Sequence, residues 1–251
     1  MKSYYCNIYV ILMITFTSIH YTTQAQYLIT YSQQFFGGNI SLGTLNILDD
    51  KSYYLQNKQN EATDSLNKID NYGDEIHVHA TITDGTNLIY INKYSDPLLY
   101  SREIRFSSNV SWIKEKKSDL KWQLSDSTRK IGDYLCNYAS CEFRGRKYNV
   151  WYTTDIPLSV GPWKLRGLPG LILDVSDDDN MVMFSAVKIE KTNSNPLNIQ
   201  IPKEKLIDFK DYFNSREKDI NELKKKIISK APKGFTVTVN SIKPNYIETA
   251  L

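Results

Sequence analysis

The run from Gly161 to Leu173 reads Gly-Pro-Trp-Lys-Leu-Arg-Gly-Leu-Pro-Gly-Leu-Ile-Leu, and it limits the fold more strongly than any other stretch. Leu168-Pro169-Gly170-Leu171 has the composition of a type II turn. Proline presets φ at the first central position, and glycine accepts a positive φ at the second. An unbroken apolar run, Leu171-Ile172-Leu173, follows at once and predicts a buried strand. Gly161, Pro162, Gly167, Leu168, Pro169, Gly170, Leu171 and Ile172 therefore read as an architectural corner joined to core, not as a reaction centre.

Most of the remaining chain reads as short strands with turn punctuation. Gln26 to Phe36 alternates and ends at Gly37-Gly38. Leu42 to Leu48 and Tyr53 to Gln56 flank a polar turn at Asp49–Ser52. Asn57 to Gly73 is poor in apolar residues and is expected to be a loop. Ile76 to Thr83 alternates, and Asp84-Gly85 is a hairpin signal before Leu88 to Lys93. Later strands are expected at Leu98–Phe106, Val110–Lys114, Leu120–Leu124, Tyr134–Phe143, Tyr148–Thr153, Leu171–Val175 and Met181–Ile189. Arg144-Gly145-Arg146 and Asp177–Asn180 are the expected hairpin connections. No helical pattern separates these strands, which favours antiparallel sheet. The 18 tyrosines and 9 phenylalanines suit half-buried sheet surfaces.

The pattern changes after Pro202. Leu206, Phe209, Phe213, Ile220, Leu223 and Ile227 recur at helical spacing and predict one amphipathic helix near residues 203–230, stopped by Pro232 and Gly234. Phe235 to Val239 reads as a last strand. The fold class is mainly β: a curved antiparallel sheet, open half-barrel-like, with one C-terminal amphipathic helix packed on it. Curvature follows from the strand number, because large open sheets twist and curl.

Residues 1–25 have the layout of a secretory signal: Lys2, an apolar Ile8–Phe16, and small residues at Thr23-Gln24-Ala25. The apolar stretch is shorter than the roughly 20 residues a bilayer span needs. Cleavage would leave residues 26–251 as a single β-rich domain with no transmembrane segment. It would carry a charge of about +2, since Lys2 leaves one fewer basic residue than the 31 that face 28 acids. A near-neutral chain has no nucleic-acid footprint. The expected location is exported, periplasmic or secreted. If Cys136 and Cys141, five residues apart, lie on one extended strand, their Cα atoms are about 16 Å apart, beyond disulfide reach; a bridge between them needs a tight turn at Asn137–Ser140.

Gly132, Tyr134, Cys136 and Ala139, then Phe143-Arg144-Gly145-Arg146, Trp151-Tyr152-Thr153, Ile156-Pro157 and Gly161-Pro162 precede the corner in fixed order. Together with Gly167–Ile172, this set resembles the GLPGLI family of exported bacterial proteins. Tyr138 and Asp133 depart from that family's usual lysine and glycine. The resemblance implies no catalytic residues and no established activity. It implies a cell-envelope setting, with an outer-membrane transporter or another envelope protein as the expected partner.

Motifs of chemistry are sparse. His77-Val78-His79 places two imidazoles on one strand face, but metals want three or four ligands, and no metal site is expected. Asp177–Asn180 lacks the glycine and distal glutamate of a calcium loop. No G-x-S-x-G, phosphate loop or dinucleotide fingerprint occurs, and no cofactor is expected. The best binding candidates are Arg144, Arg146, Trp151, Trp163, Lys164 and Arg166, since guanidinium forks beside aromatic rings grip anionic or sugar ligands. The chain thus reads as a non-catalytic envelope binding or accessory protein. Its ligand is expected to be a small apolar or aromatic molecule, in an apolar concavity with Arg166 or Arg146 at the mouth. The alternatives are a protein-interaction module without small ligand, or a hydrolase.

Overall fold

The computed structural model describes residues 26–57, 66–72, 75–83, 89–104, 110–192, 199–202, 205–229, 236–245 and 247–251. The leader 1–25 and the Asp84-Gly85 turn lie outside these residues, as do the side chains of His77 and His79.

Among the described residues, twelve strands form one curved, mostly antiparallel sheet, and one helix packs on it. In chain order the strands are β1 (Gln26–Phe35), β2 (Ser41–Ile47), β3 (Lys51–Asn57), β6 (Ile89–Lys93), β7 (Leu98–Ile104), β8 (Val110–Lys116), β9 (Gln123–Ile131), β10 (Tyr134–Phe143), β11 (Arg146–Thr153), β12 (Leu171–Asp177), β13 (Val182–Thr192) and β14 (Leu206–Asp208). Across the sheet they run β14-β8-β7-β6-β3-β2-β1-β13-β12-β11-β10-β9. A second sheet is built from β4 (Leu66–Tyr72), β5 (Glu75–Thr83) and β15 (Thr236–Asn245). The helix α1 spans Phe209–Ser229. Two pairings are parallel, β14 with β8 and β15 with β5, so the architecture is mixed rather than purely antiparallel.

The expected hairpins β2–β3, β10–β11 and β12–β13 form. At β10–β11 both central residues, Arg144 (φ 53°) and Gly145 (φ 80°), are left-handed, as a type I′ turn requires. Four expectations need correction. The strands on either side of Asp84-Gly85 do not pair with each other: β5 joins β4 and β15, while β6 joins β3 and β7. Part of the expected loop Asn57–Gly73 is strand β4. The strand expected at Leu120–Leu124 instead runs Gln123–Ile131, almost wholly exposed at the sheet edge. The expected helix starts later, because Leu206–Asp208 is spent on β14.

The corner is also built differently. Gly170 is not left-handed; Gly167 is, at φ 96°. Leu171 N donates to Ile156 O at 3.0 Å, not back to Leu168, so no type II turn closes there. Gly170 is needed for another reason: a Cβ on it would lie 2.0 Å from Thr153 O. The expectation of buried apolar residues after the corner holds, with Leu171, Ile172 and Leu173 all in the core.

Residues 154–170, which join β11 to β12, fill one face of the sheet. Ile156, Leu158, Val160, Trp163, Leu165 and Leu168 are all buried there and pack with Tyr31, Tyr148, Val150 and Phe184. Because backbone inside a core must be hydrogen-bonded, this connection satisfies itself and its neighbours. Gly167 N reaches Ser159 O at 3.4 Å, Ile172 N reaches Val160 O at 3.1 Å, and Tyr31 Oη donates to Ile172 O at 2.6 Å. The connection fills that face of the sheet with its own side chains. Cys136 and Cys141 are free, buried thiols.

Candidate functional site

At the end of the core where β8 meets α1, five charged side chains from five separate segments converge. Glu115 comes from β8, Arg144 from the β10–β11 turn, Lys164 from the connection 154–170, Arg216 from α1 and Glu248 from the segment Ile247–Leu251. All five are at most 10 % exposed at the side chain. Local structure delivers each of them. Ser111, Ile113 and Glu115 occupy the inward positions of β8. Trp163 adopts φ 56°, an uncommon conformation for a bulky residue, immediately before Lys164. Its ring is fixed at 5.5 Å from Phe143, 5.9 Å from Tyr148 and 6.4 Å from Tyr90. Arg216 follows Phe209 and Tyr212 on the buried stripe of α1.

Lys164 Nζ bonds both carboxylates, Glu115 Oε1 and, at 2.7 Å, Glu248 Oε1. Arg144 Nη2 donates to Glu115 Oε2 at 2.5 Å, and its Nε lies 3.5 Å from Glu248 Oε1. Arg216 Nη1 donates to Glu248 O at 2.8 Å, and its Nη2 lies 3.6 Å from Glu248 Oε2. Phe209 forms the apolar floor, with Arg144 3.9 Å and Lys164 4.6 Å from its ring centroid. Burial by itself would lower the Lys164 pKa, but Glu115 and Glu248 outweigh it and raise the ammonium above its ordinary value. For Glu248, burial dominates the opposing pull of Lys164 and Arg144 and raises the carboxyl.

An open cavity of about 660 Å³ adjoins the cluster. Glu115, Arg144 and Phe209 reach it from the inner side, and Lys114, Lys116, Asp208, Lys210, Asp211 and Leu251 make its outer wall. Its lining combines charged side chains with the apolar Phe209 and Leu251. Among the described residues, no group of three or more His, Cys, Asp or Glu is arranged to hold a metal.

The six sequence candidates divide. Arg144 and Lys164 meet on the same two carboxylates. Trp163 is a buried buttress for them. Arg146 lies close by, donating to Ile247 O at 2.9 Å and to Asp177 Oδ2 at 2.7 Å. Asp177 Oδ1 meanwhile accepts from the Met181 and Val182 amides, so this acidic turn is occupied by structural bonds. Arg166 is held elsewhere, bonding Ser118 O at 2.8 Å while its own carbonyl accepts from Trp122 Nε1. Trp151 alternates to the other face of β11, under Arg129 at 4.4 Å. Sequence reasoning missed Glu115, Phe209 as a site residue, Arg216 and Glu248. A signal existed for Arg216, a charge placed four residues after Tyr212 on an apolar stripe. None existed for Glu248.

A curved, mixed β-sheet with one packed helix, carrying a buried charged cluster beside an open cavity, is the class of protein that the fold and site define. Residues 89–214 match the family described as "N-glycanase peptide, N-terminal domain", half of the chain, and the protein belongs to that family. A solved structure of PNGF-II is similar to it at a TM-score of 0.51 and 18% identity, covering 78% of this chain and 34% of that one. PNGF-II in a second crystal form gives 0.49 and 18%, covering 78% and 33%. The chain therefore spans about a third of the solved structures it matches. At this identity the likeness speaks to fold alone. No curated protein matches the chain.

This membership corrects the GLPGLI reading. The whole ordered set from Gly132 to Ile172, hexapeptide included, falls inside the span matched by the N-glycanase domain, where Gly167–Ile172 serves as a local corner. With that reading go its implications of a non-catalytic binding or accessory protein without enzymatic activity, since the family is named for glycanases.

Proposed function

We propose that this chain works as a hydrolytic unit of N-glycanase type, acting on N-linked glycans of peptides, with the cavity beside Glu115 facing the substrate. One observation carries the reading. The span that matches the N-glycanase domain contains every residue of the cavity wall except Leu251. Hydrolysis of such a linkage needs a positioned carboxylate to take a proton from water and a donor for the leaving group. Glu115 is the candidate carboxylate, its two oxygens fixed by Arg144 and Lys164. The lysines and acids of the outer wall suit the hydroxyl-rich surface of a sugar. Export, read from the leader, would bring the protein to extracellular glycopeptides.

The test is incubation of the full chain with a purified N-glycopeptide, followed by mass spectrometry. The expected result is a deglycosylated peptide and free glycan, accumulating in proportion to protein. An unchanged glycopeptide at stoichiometric protein would overturn the proposal.

A further inference from the structure

Within the buried cluster, three cations face two carboxylates, and the second carboxylate arrives in an unusual way. Lys164, Arg144 and Arg216 come from separate parts of the fold and converge on Glu248. Glu248 itself belongs to a short irregular segment. That segment is tied down by Arg146 to Ile247 O, by Arg216 to Glu248 O, and by the Thr249 and Ala250 amides to Arg144 O at 2.9 and 3.2 Å. Arg144 Nε is buried without a hydrogen-bond partner, since Glu248 Oε1 lies at ion-pair rather than bonding distance. Buried ion pairs are seldom the most stable filling of a core, so an array of cations from three elements aimed at one carboxylate has the form of a binding site. Glu115 and Arg144 also form the wall shared with the open cavity, which gives a route from solvent.

We propose that Lys164, Arg144 and Arg216 form a carboxylate-binding site that the chain fills with its own Glu248, and that a ligand carboxylate can take that place from the cavity side. The side chain of Glu248 acts as a tethered occupant. Its attachment gives it a high effective concentration, so a free carboxylate competes poorly until Glu248 is removed. The proposal does not depend on hydrolytic activity.

The test is rescue of Glu248→Ala by acetate. The variant should melt below the wild type, and acetate should raise its midpoint saturably, by about 3 °C or more at concentrations well above the dissociation constant. Chloride at equal ionic strength should not, and the wild type should respond to neither. In Lys164→Met/Glu248→Ala the acetate response should vanish. If Glu248→Ala does not fold in chloride buffer, recovery of the folded state on adding acetate supports the site. Equal effects of acetate and chloride on the variant, or failure of acetate to restore an unfolded variant, would overturn it.

Discussion

Gly170 shows how a residue can be required for a reason its sequence context does not announce. Pro169-Gly170 suggests a glycine chosen for positive φ, yet Gly167 takes that conformation and Gly170 is pressed against Thr153. Gly170→Ala should therefore destabilise by about 2–3 kcal/mol through overpacking against backbone, against about 1 kcal/mol for Gly167→Ala from conformation alone. Thermal denaturation of the two variants checks the order; a smaller loss at Gly170 would contradict the close approach. Tyr31→Phe removes a buried donor to Ile172 O and should cost about 1 kcal/mol by chemical denaturation. Lys164 gives a pH prediction. Its pKa is raised in the fold, so its stabilisation is complete below the unfolded value of 10.5 and is lost as pH climbs through the folded one. Glu115→Gln removes one of the charges that raise it, so the alkaline fall in melting midpoint, which begins near the unfolded value in both proteins, should be smaller and end at lower pH than in the wild type. A coincident alkaline limb would contradict the pairing.

Among the elements, strands with one dry and one wet face were legible, because alternation reports burial. That covers β10, β11 and the apolar run of β12. β9 was not, since Gln-Leu-Ser-Asp-Ser-Thr-Arg-Lys-Ile has water on both faces. Its charges are what an unpaired edge needs to resist association. Strand β14 escaped because three residues carry no period, and its parallel partner β8 lies far back in the chain. The turn Arg144-Gly145 was legible as a hairpin, but not as the anchor for Ile247–Leu251. A Cβ on Gly145 would lie 2.2 Å from Thr249 Oγ1, and Gly145 sits at φ 80°. Gly145→Ala should loosen that segment: amide exchange at Thr249 and Ala250 should speed up by at least tenfold, while β12 amides stay protected. Unchanged exchange would place the anchor elsewhere.

For the molecule as a whole, the sheet and its packed helix could be read from strand spacing and one stripe of apolar residues. The site could not. Its charges come from five segments between Glu115 and Glu248, and only folding makes them neighbours; two of the six sequence candidates, Arg144 and Lys164, fell inside it. Residues 154–170 fill one face of the sheet, and among the described residues the cavity at β8 and α1 adjoins the charged cluster. We propose hydrolysis of an N-linked glycan there, with Glu115 as the acting carboxylate. The most direct test compares glycan release from an N-glycopeptide by wild type and Glu115→Gln, with circular dichroism confirming that both are folded. The account predicts release by the wild type and a loss of at least about 100-fold in the folded variant; release at the wild-type rate by Glu115→Gln would contradict it.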